Sequence, residues 1–341
     1  MNIYLCTYMT PLKSPEYAGL MRSAKKYGYN LVTLTSTHCH TWRAHKPDKL
    51  KSLYLYLQSE NIQDNDVVFF FDGIDAVFGK GNQCDLVKAF IESGAEILMS
   101  AEANCYPPIY KEEYVNGPSW TGGAFEYINV GMYAGRGKAI MQMLKYANTI
   151  NETDQSYDDF FRIIPDTEEN IAKWGSRNEY FKHNYPTGRC DQNTLKYIYI
   201  NGIVLDSGEK IFPIQIDTQC KIFQNLTNNY TQTMDFIDGK WRNTLTGTEP
   251  FVFHGPGNTG NILPICKMLD IPYNIVHNKA GFSSDHRNWK EECRVDINVD
   301  QHTDEVLELD VVNFYEGLTP IKEKYKLITR PNNIIPKLIK R

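Results

Sequence analysis

The segment VVFFFDGIDAVF, residues 67–78, is an apolar run that stops abruptly at two acids three residues apart, Asp72 and Asp75. A strand buried on both faces reads as a continuous apolar run, and open α/β sheets bind their ligands at the carboxyl ends of such strands. Carboxylates there offer the oxygen ligands that Mg²⁺ and Mn²⁺ prefer, in sites that a substrate phosphate often completes. A solvated turn after a core strand is the competing interpretation, because Asp and Gly are ordinary turn residues.

Alternating strands and helices surround this segment and predict an α/β sheet of the nucleotide-binding kind. The predicted strands are 3–7, 31–34, 67–71, 96–100 and 127–134, and the predicted helices are 14–27, 48–59, 85–93, 138–147 and 191–199. Residues 104–123 are rich in Pro, Tyr and Gly and are predicted to form a long loop over the active face. A polar insertion is predicted at about 151–190.

Composition indicates a globular protein, because 42% of the 341 residues are hydrophobic and the net charge is only −5. The sequence has no basic stripe, so a nucleic-acid partner is not expected. Its eight cysteines are scattered without the spacing of a zinc site. The amino terminus reads as a first strand and no apolar stretch reaches the length of a membrane span, so the sequence alone predicts a soluble, cytoplasmic protein.

Three other segments carry side chains suited to the same chemistry. Residues 251–258, FVFHGPGN, place His254 between a short apolar strand and a glycine-rich turn. Imidazole together with carboxylates favours Mn²⁺, although a histidine at a strand end is more often structural. Residues 190–195, CDQNTL, place Asp191 at the start of a helix, where Asp is also a good N-cap. Residues 100–107, SAEANCYP, place Glu102 at the end of a strand, just before the aromatic loop.

In these segments the chain resembles the glycosyltransferase domain of the procollagen lysyl hydroxylases, the collagen galactosylhydroxylysine glucosyltransferase family. The resemblance runs from the first strand to about residue 280. It is carried by FDGID at 71–75, SAE at 100–102, CYP at 105–107, INVG at 128–131, DQNTL at 191–195, IDTQCKIFQNL at 216–226 and HG at 254–255. It implies a GT-A type nucleotide-sugar transferase, an α/β fold with a mixed central sheet flanked by helices. Residues 1–280 would form this domain, and residues 281–341 a C-terminal accessory segment.

The resemblance also implies a set of site residues. Its metal ligands, which hold Mn²⁺ in the family, fall on Asp72, Asp75 and His254. Its donor-binding positions, which contact the UDP-sugar, are Thr7, Trp42, Lys49, Gly73, Gly257 and Asn258. Its catalytic positions, where a carboxylate can stabilise oxocarbenium character, are Asp191 and Gln192. Its positions for the sugar and the acceptor are Glu102, Tyr106 and Asn129.

The function implied by the resemblance is Mn²⁺-dependent, retaining transfer of a hexose, in the first place glucose, from a UDP-sugar to galactosylhydroxylysine of a collagen-like polypeptide. Direct glucosyl or galactosyl transfer to hydroxylysine is an alternative. A non-catalytic collagen-binding module is another, because Pro256 and Gly260 stand near positions where the family has an asparagine and a lysine. Neither nucleic acid nor a membrane span is expected, and a homodimer is among the assemblies that the sequence allows.

Overall fold

The computed structural model describes residues 1–9, 15–36, 42–106, 110–117, 120–152, 191–227, 233–256, 259–272, 305–314, 320–329 and 337–340. The polar insertion predicted at about 151–190 lies outside these residues, apart from the end of one helix. None of the helices in these ranges is both long and apolar enough to cross a membrane.

Strands and helices alternate through the first half of the chain. The strands are β1 Ile3–Tyr8, β2 Leu31–Ser36, β3 Val67–Asp72, β4 Ala76–Phe78, β5 Ile97–Glu102, β6 Tyr127–Arg136, β7 Ile203–Val204, β8 Lys210–Ile211, β9 Ile214–Ile216, β10 Phe223–Asn225, β11 Met234–Ile237, β12 Lys240–Asn243, β13 Val252–His254, β14 Glu305–Phe314, β15 Pro320–Thr329 and β16 Lys337–Lys340. The helices are α1 Pro15–Tyr27, α2 Trp42–Ser59, α3 Gln83–Ser93, α4 Lys111–Val115, α5 Gly137–Glu152, α6 Asp191–Asn201 and α7 Leu263–Met268.

Nine strands form one mixed sheet in the order β16-β15-β14-β2-β1-β3-β6-β5-β9. Strand β1 is parallel to both of its neighbours, β2 and β3, whereas β6 is antiparallel to β3 and β5. Helices pack on both faces of this sheet. The predicted α/β fold with a mixed central sheet flanked by helices is therefore confirmed.

The side chains of β3 alternate between two cores. Val68 and Phe70 pack in the cluster that also holds buried side chains of α2 and α5. Phe69 and Phe71 pack on the opposite face with side chains of α1 and α3, where the rings of Phe69 and Phe90 meet edge-on with centroids 5.8 Å apart. Because both faces are covered, every residue of the strand before its last is buried. This is why the strand reads as an uninterrupted apolar run.

Two elements differ from the predicted ones. Helix α2 begins at Trp42 and not at residue 48. The predicted start was too late because the apolar periodicity of the helix becomes visible only from Leu50 onward. Residues 104–123, predicted as loop, contain the short helix α4. Its Tyr114 is buried and packs against the rings of Tyr127 and Tyr199 with centroids 5.1 and 5.2 Å away, which anchors the helix by tertiary contacts.

The segment predicted as accessory contributes strands β14, β15 and β16 to the same sheet. Strand β14 pairs in parallel with β2 over five residues and in antiparallel fashion with β15. Leu307 and Leu309 point into the core beside α1, whereas Glu308 and Asp310 are exposed. This alternation is the ordinary pattern of a strand with one buried face.

A second, three-stranded sheet stands beside the main one in the order β10-β13-β4. Strand β13 is parallel to β10 and antiparallel to β4. In this register His254, the last residue of β13, lies opposite Asn225 of β10 and Ala76 of β4. Since β4 follows β3 after a short turn, the small sheet brings residue 254 to the carboxyl end of β3.

Candidate active site

Asp72, Asp75 and His254 form one cluster. Asp72 is the last residue of β3, and Asp75 lies in the turn that leads to β4. The possible ligand atoms of the three side chains all lie within 4.8 Å of one another. The His254 Nε2 atom is 3.1 Å from Asp75 Oδ1 and 3.7 Å from Asp72 Oδ2. One imidazole and two carboxylates at these distances are a donor set that fits Mn²⁺.

Two contacts fix His254 relative to the aspartates of this cluster. The Gly255 amide donates a hydrogen bond of 2.8 Å to the Asp75 carbonyl oxygen. The imidazole of His254 lies directly on Gly131 of β6, where a Cβ atom would stand only 2.2 Å from the ring atom Cε1. A glycine at position 131 is therefore required for the ring to occupy this place.

Lys49 of α2 connects the cluster with Asp191. Its Nζ atom lies 2.7 Å from Asp72 Oδ1 and 2.6 Å from Asp191 Oδ2. Asp191 is the first residue of α6 and is 4% exposed. Burial lowers the pKa of the Lys49 ammonium, but the carboxylates of Asp191 and Asp72 outweigh it and raise the pKa well above its usual value. One ammonium thus holds the predicted catalytic acid beside a predicted metal ligand.

The cluster is short of positive charge. Burial raises the pKa of Asp72, Lys49 lowers it, and the neighbouring Asp75 raises it further, with a raised pKa as the result. Burial lowers the pKa of His254, but its contacts with Asp75 and the charge of Asp72 reverse this, so that the pKa is raised. Both shifts have the sign expected where buried acids outnumber cations. A divalent cation would supply the missing charge.

Lys49→Met is expected to destabilise the metal-free protein by on the order of 3 kcal/mol, because it leaves carboxylates buried without their ammonium. Added Mn²⁺ should then stabilise the variant more than it stabilises the wild type. Denaturant unfolding with and without the ion measures both effects. Lys145→Met is the matched control, since Lys145 makes an exposed ion pair with Asp206 and should change little. A variant at position 49 that is as stable as the wild type would contradict the arrangement.

Asn129 and Glu102 lie at the adjoining ends of β6 and β5. Asn129 Nδ2 donates to Glu102 Oε2 at 2.8 Å, and Asn129 Oδ1 accepts from the Gly131 amide at 2.8 Å. Glu102 is 4% exposed, and its pKa is raised by burial, although the Asn129 hydrogen bond lowers it in part. Asn129 thus lies on the strand next to β3, and Glu102 lies on the strand beyond it.

Gln192 uses both ends of its side chain on the backbone of β6. Its Oε1 atom accepts from the Val130 amide at 2.9 Å, and its Nε2 atom donates to the Ile128 carbonyl oxygen at 2.7 Å. These bonds fasten the first turn of α6 to the strand. The side chain predicted to be catalytic therefore also fixes the position of its neighbour, Asp191.

The residues predicted to bind the donor lie on several different elements, namely β1, the turn after β3, and α2. Thr7 is fully buried on β1 beside Phe71, and within the described residues its Oγ1 atom has no hydrogen-bond partner. At Gly73 a Cβ atom would come within 2.8 Å of the Tyr8 carbonyl oxygen, so the turn after β3 passes close to β1. Trp42 begins α2, but its side chain lies outside the described part of the structure.

Three other positions were predicted for the donor and the acceptor. Gly257 and Asn258 lie outside the described residues. Tyr106 follows shortly after Glu102, the last residue of β5, and is 45% exposed.

Sequence reasoning missed Asn225 and Gly131 as individual site residues. Asn225 Oδ1 lies 2.7 Å from His254 Nδ1, and Gly131 supports the same ring. The available signal was the pair of amide residues Gln224 and Asn225, which directly follow the apolar residues Ile222 and Phe223; both amides end β10 and are buried. Both missed residues stand in segments that carry the family resemblance.

Comparison with known proteins gives a family match. Residues 5–163 match the model of the PLOD GT domain family. The curated proteins named Multifunctional procollagen lysine hydroxylase and glycosyltransferase LH3 from Homo sapiens and Pongo abelii are each 24% identical to the chain over 268 residues. The match covers 73% of this chain and spans 30% of the length of those relatives.

A solved structure is also similar. It is a glycosyltransferase involved in the glycosylation of the major capsid of PBCV-1, with 11% identity and a TM-score of 0.40. The alignment covers 79% of this chain and 98% of the other.

Proposed function

We propose that the chain, whose residues 5–163 match the PLOD GT domain family, transfers a hexose, in the first place glucose, from a UDP-sugar to galactosylhydroxylysine of a collagen-like polypeptide. The observation that carries this proposal is the juxtaposition of the Asp72, Asp75 and His254 cluster with Asp191. The cluster is the proposed Mn²⁺ site. A divalent cation bound there supplies positive charge to the diphosphate of the donor and to the departing UDP.

The remaining roles belong to side chains of the chain itself. Asp191 is proposed to face the anomeric carbon and to stabilise positive charge that develops on the sugar ring, with retention of configuration. Lys49 holds that carboxylate in place through its 2.6 Å ion pair. Glu102 and Asn129 are proposed to bind hydroxyl groups of the sugar or the acceptor. Trp42 is proposed to contact the uridine. The Thr7 side chain is fully buried and is not exposed to such a contact.

The proposal is tested by offering the purified protein a panel of UDP-sugars with Mn²⁺ and two peptides, one with galactosylhydroxylysine and one with hydroxylysine. Mass spectrometry of the products should find one glucose added to the first peptide. Addition to the hydroxylysine peptide would favour the alternative acceptor. If no donor is transferred or hydrolysed, the alternative of a non-catalytic collagen-binding module is favoured.

Trp42→Ala is expected to weaken donor binding while kcat changes less, because a base that stacks on an aromatic ring contributes on the order of 1–3 kcal/mol, or about 5- to 150-fold in affinity. Titration of UDP into the Mn²⁺-loaded protein measures the effect. Trp42→Phe keeps an aromatic face and should recover most of the affinity. Equal UDP affinity in wild type and Trp42→Ala would remove Trp42 from the donor site.

A further inference from the structure

Asn225 makes the contact on the side of the His254 ring that faces away from the aspartates. It is the last residue of β10, is 1% exposed, and is paired in register with His254 of β13. Its Oδ1 atom lies 2.7 Å from His254 Nδ1. The other ring nitrogen, Nε2, lies 3.1 Å from Asp75 Oδ1. Both partners are oxygen atoms that accept hydrogen bonds, an amide oxygen at Nδ1 and the carboxylate oxygen of a proposed metal ligand at Nε2.

The orientation of the Asn225 amide follows from its second set of contacts. One terminal atom lies 2.6 Å from the Ala101 carbonyl oxygen and 3.0 Å from Ser100 Oγ. A carbonyl oxygen can only accept a hydrogen bond, so the atom facing it must be the amide nitrogen. A flipped amide would place two oxygens against each other at this distance. The amide oxygen is thus left facing His254.

An amide oxygen can only accept, so the ring nitrogen that contacts it must carry a hydrogen atom. We infer that Asn225 is a positioning residue that keeps the ring hydrogen of His254 on Nδ1 and so directs the lone pair of Nε2 toward the two aspartates. Neutral histidine in water prefers the opposite tautomer, with its hydrogen on Nε2. Asn225 therefore selects the form of the ring that can bind a cation at Nε2.

The amide is held by neighbours that are themselves fixed. Ser100 Oγ donates to the Asn129 carbonyl oxygen at 2.8 Å. A chain of hydrogen bonds consequently runs from the His254 ring through Asn225 and Ser100 to β6, where Asn129 also binds Glu102. Strands β5, β6 and β10 all support the orientation of one imidazole.

A purely structural tie between strands is the competing explanation, and two substitutions separate it from the inference. Asn225→Leu removes both the acceptor for His254 and the donor to Ala101. Asn225→Asp removes the donor, adds a negative charge and keeps an oxygen facing Nδ1. A structural role predicts that Mn²⁺ affinity follows stability in both variants. A positioning role predicts that Mn²⁺ affinity falls in the variant that lacks an oxygen facing His254 Nδ1 and is largely kept in the variant that has one.

The first experiment measures Mn²⁺ dissociation constants by calorimetry, with unfolding curves for each variant. Asn225→Leu is expected to weaken Mn²⁺ binding by about 10- to 100-fold, and Asn225→Asp should recover most of that loss. The control is Asn243→Leu, since Asn243 is an equally buried amide that bonds to Gln224 and not to His254. Equal weakening in the Leu and Asp variants, or none in the Leu variant, overturns the inference.

The second experiment does not depend on the metal. The inference about the lone pair rests on the proposed metal site, whereas the ring tautomer does not. Nitrogen-15 NMR of the metal-free protein, at a pH where the ring is neutral and with His254→Gln to assign the signal, should show a larger fraction of rings with the hydrogen on Nδ1 in the wild type than in Asn225→Leu, since Asp75 competes for a hydrogen on Nε2 in both proteins. Equal fractions in the two proteins overturn the inference. A wild type that shows the expected tautomer but binds no Mn²⁺ refutes the proposed metal site alone.

Discussion

Asp75→Asn is expected to lower kcat/KM for sugar transfer by on the order of a thousandfold or more, because a lost metal ligand removes several kcal/mol of charge stabilisation. The fold should survive, since Asp75 lies in a turn at the edge of the core and not inside it. Metal-free Asp75→Asn should stay close to the wild type in stability, because it relieves the repulsion between Asp75 and Asp72 but also weakens the contact with His254.

Loss of activity without loss of stability is the signature to look for. Steady-state kinetics, Mn²⁺ calorimetry and thermal unfolding of one preparation measure it together. Asp206→Asn is the control. Asp206 is an exposed acid that pairs with Lys145, and neither residue belongs to the cluster. Undiminished turnover in Asp75→Asn would refute the proposed Mn²⁺ site.

Gly131→Ala is expected to weaken Mn²⁺ binding by about 100-fold and to lower activity in parallel. Loss of a residue that supports a metal ligand lowers metal affinity by about 10- to 100-fold, and displacement of the ligand itself should lower it at least as much. The new Cβ atom would stand 2.2 Å from Cε1 and 2.6 Å from Nε2 of His254, so the ring must move. The glycine lies in β6 where the register with β5 shifts, between the partners of Met99 and Ser100, and it is not among the residues of positive φ, so an alanine backbone fits there.

Gly135→Ala provides a matched control in the same strand. Its Cβ atom would stand 2.6 Å from Cγ1 of Ile140, so it causes comparable crowding away from His254. Both alanine variants should lose about 1–3 kcal/mol of stability through overpacking, but only the one at position 131 should lose the metal. If the two alanine variants lose Mn²⁺ affinity equally, the loss comes from overpacking in general, and the contact between Gly131 and His254 has no special role.

The sequence predicted the centre of the sheet well, because β3 is a local pattern with a clear physical cause. Phe69 and Phe70 face opposite cores, and such a strand has apolar residues at every position. The end of the run also located Asp72 at the carboxyl edge. Strand order and register could not be read in this way, since they depend on contacts between residues far apart in the chain.

His254 illustrates the same limit within the candidate site. Its place beside Asp75 depends on the pairing of β4 with β13, which are separated by more than half the chain. Only the family resemblance suggested that pairing. Asn225 was missed as an individual residue because two amides at the end of a three-residue strand have no periodic signature. Lys49 was expected near the donor, but its two ion pairs could be seen only in three dimensions.

Strands β14 to β16 have a practical consequence for anyone who wishes to produce a trimmed protein. A version that stops at residue 272 would uncover the hydrogen-bonding edge of β2 and remove Leu307, Leu309 and Val311 from the face beside α1. Unpaired edges and bare apolar faces invite self-association. Such a version should precipitate or form aggregates during purification, even though every proposed ligand of the metal would still be present.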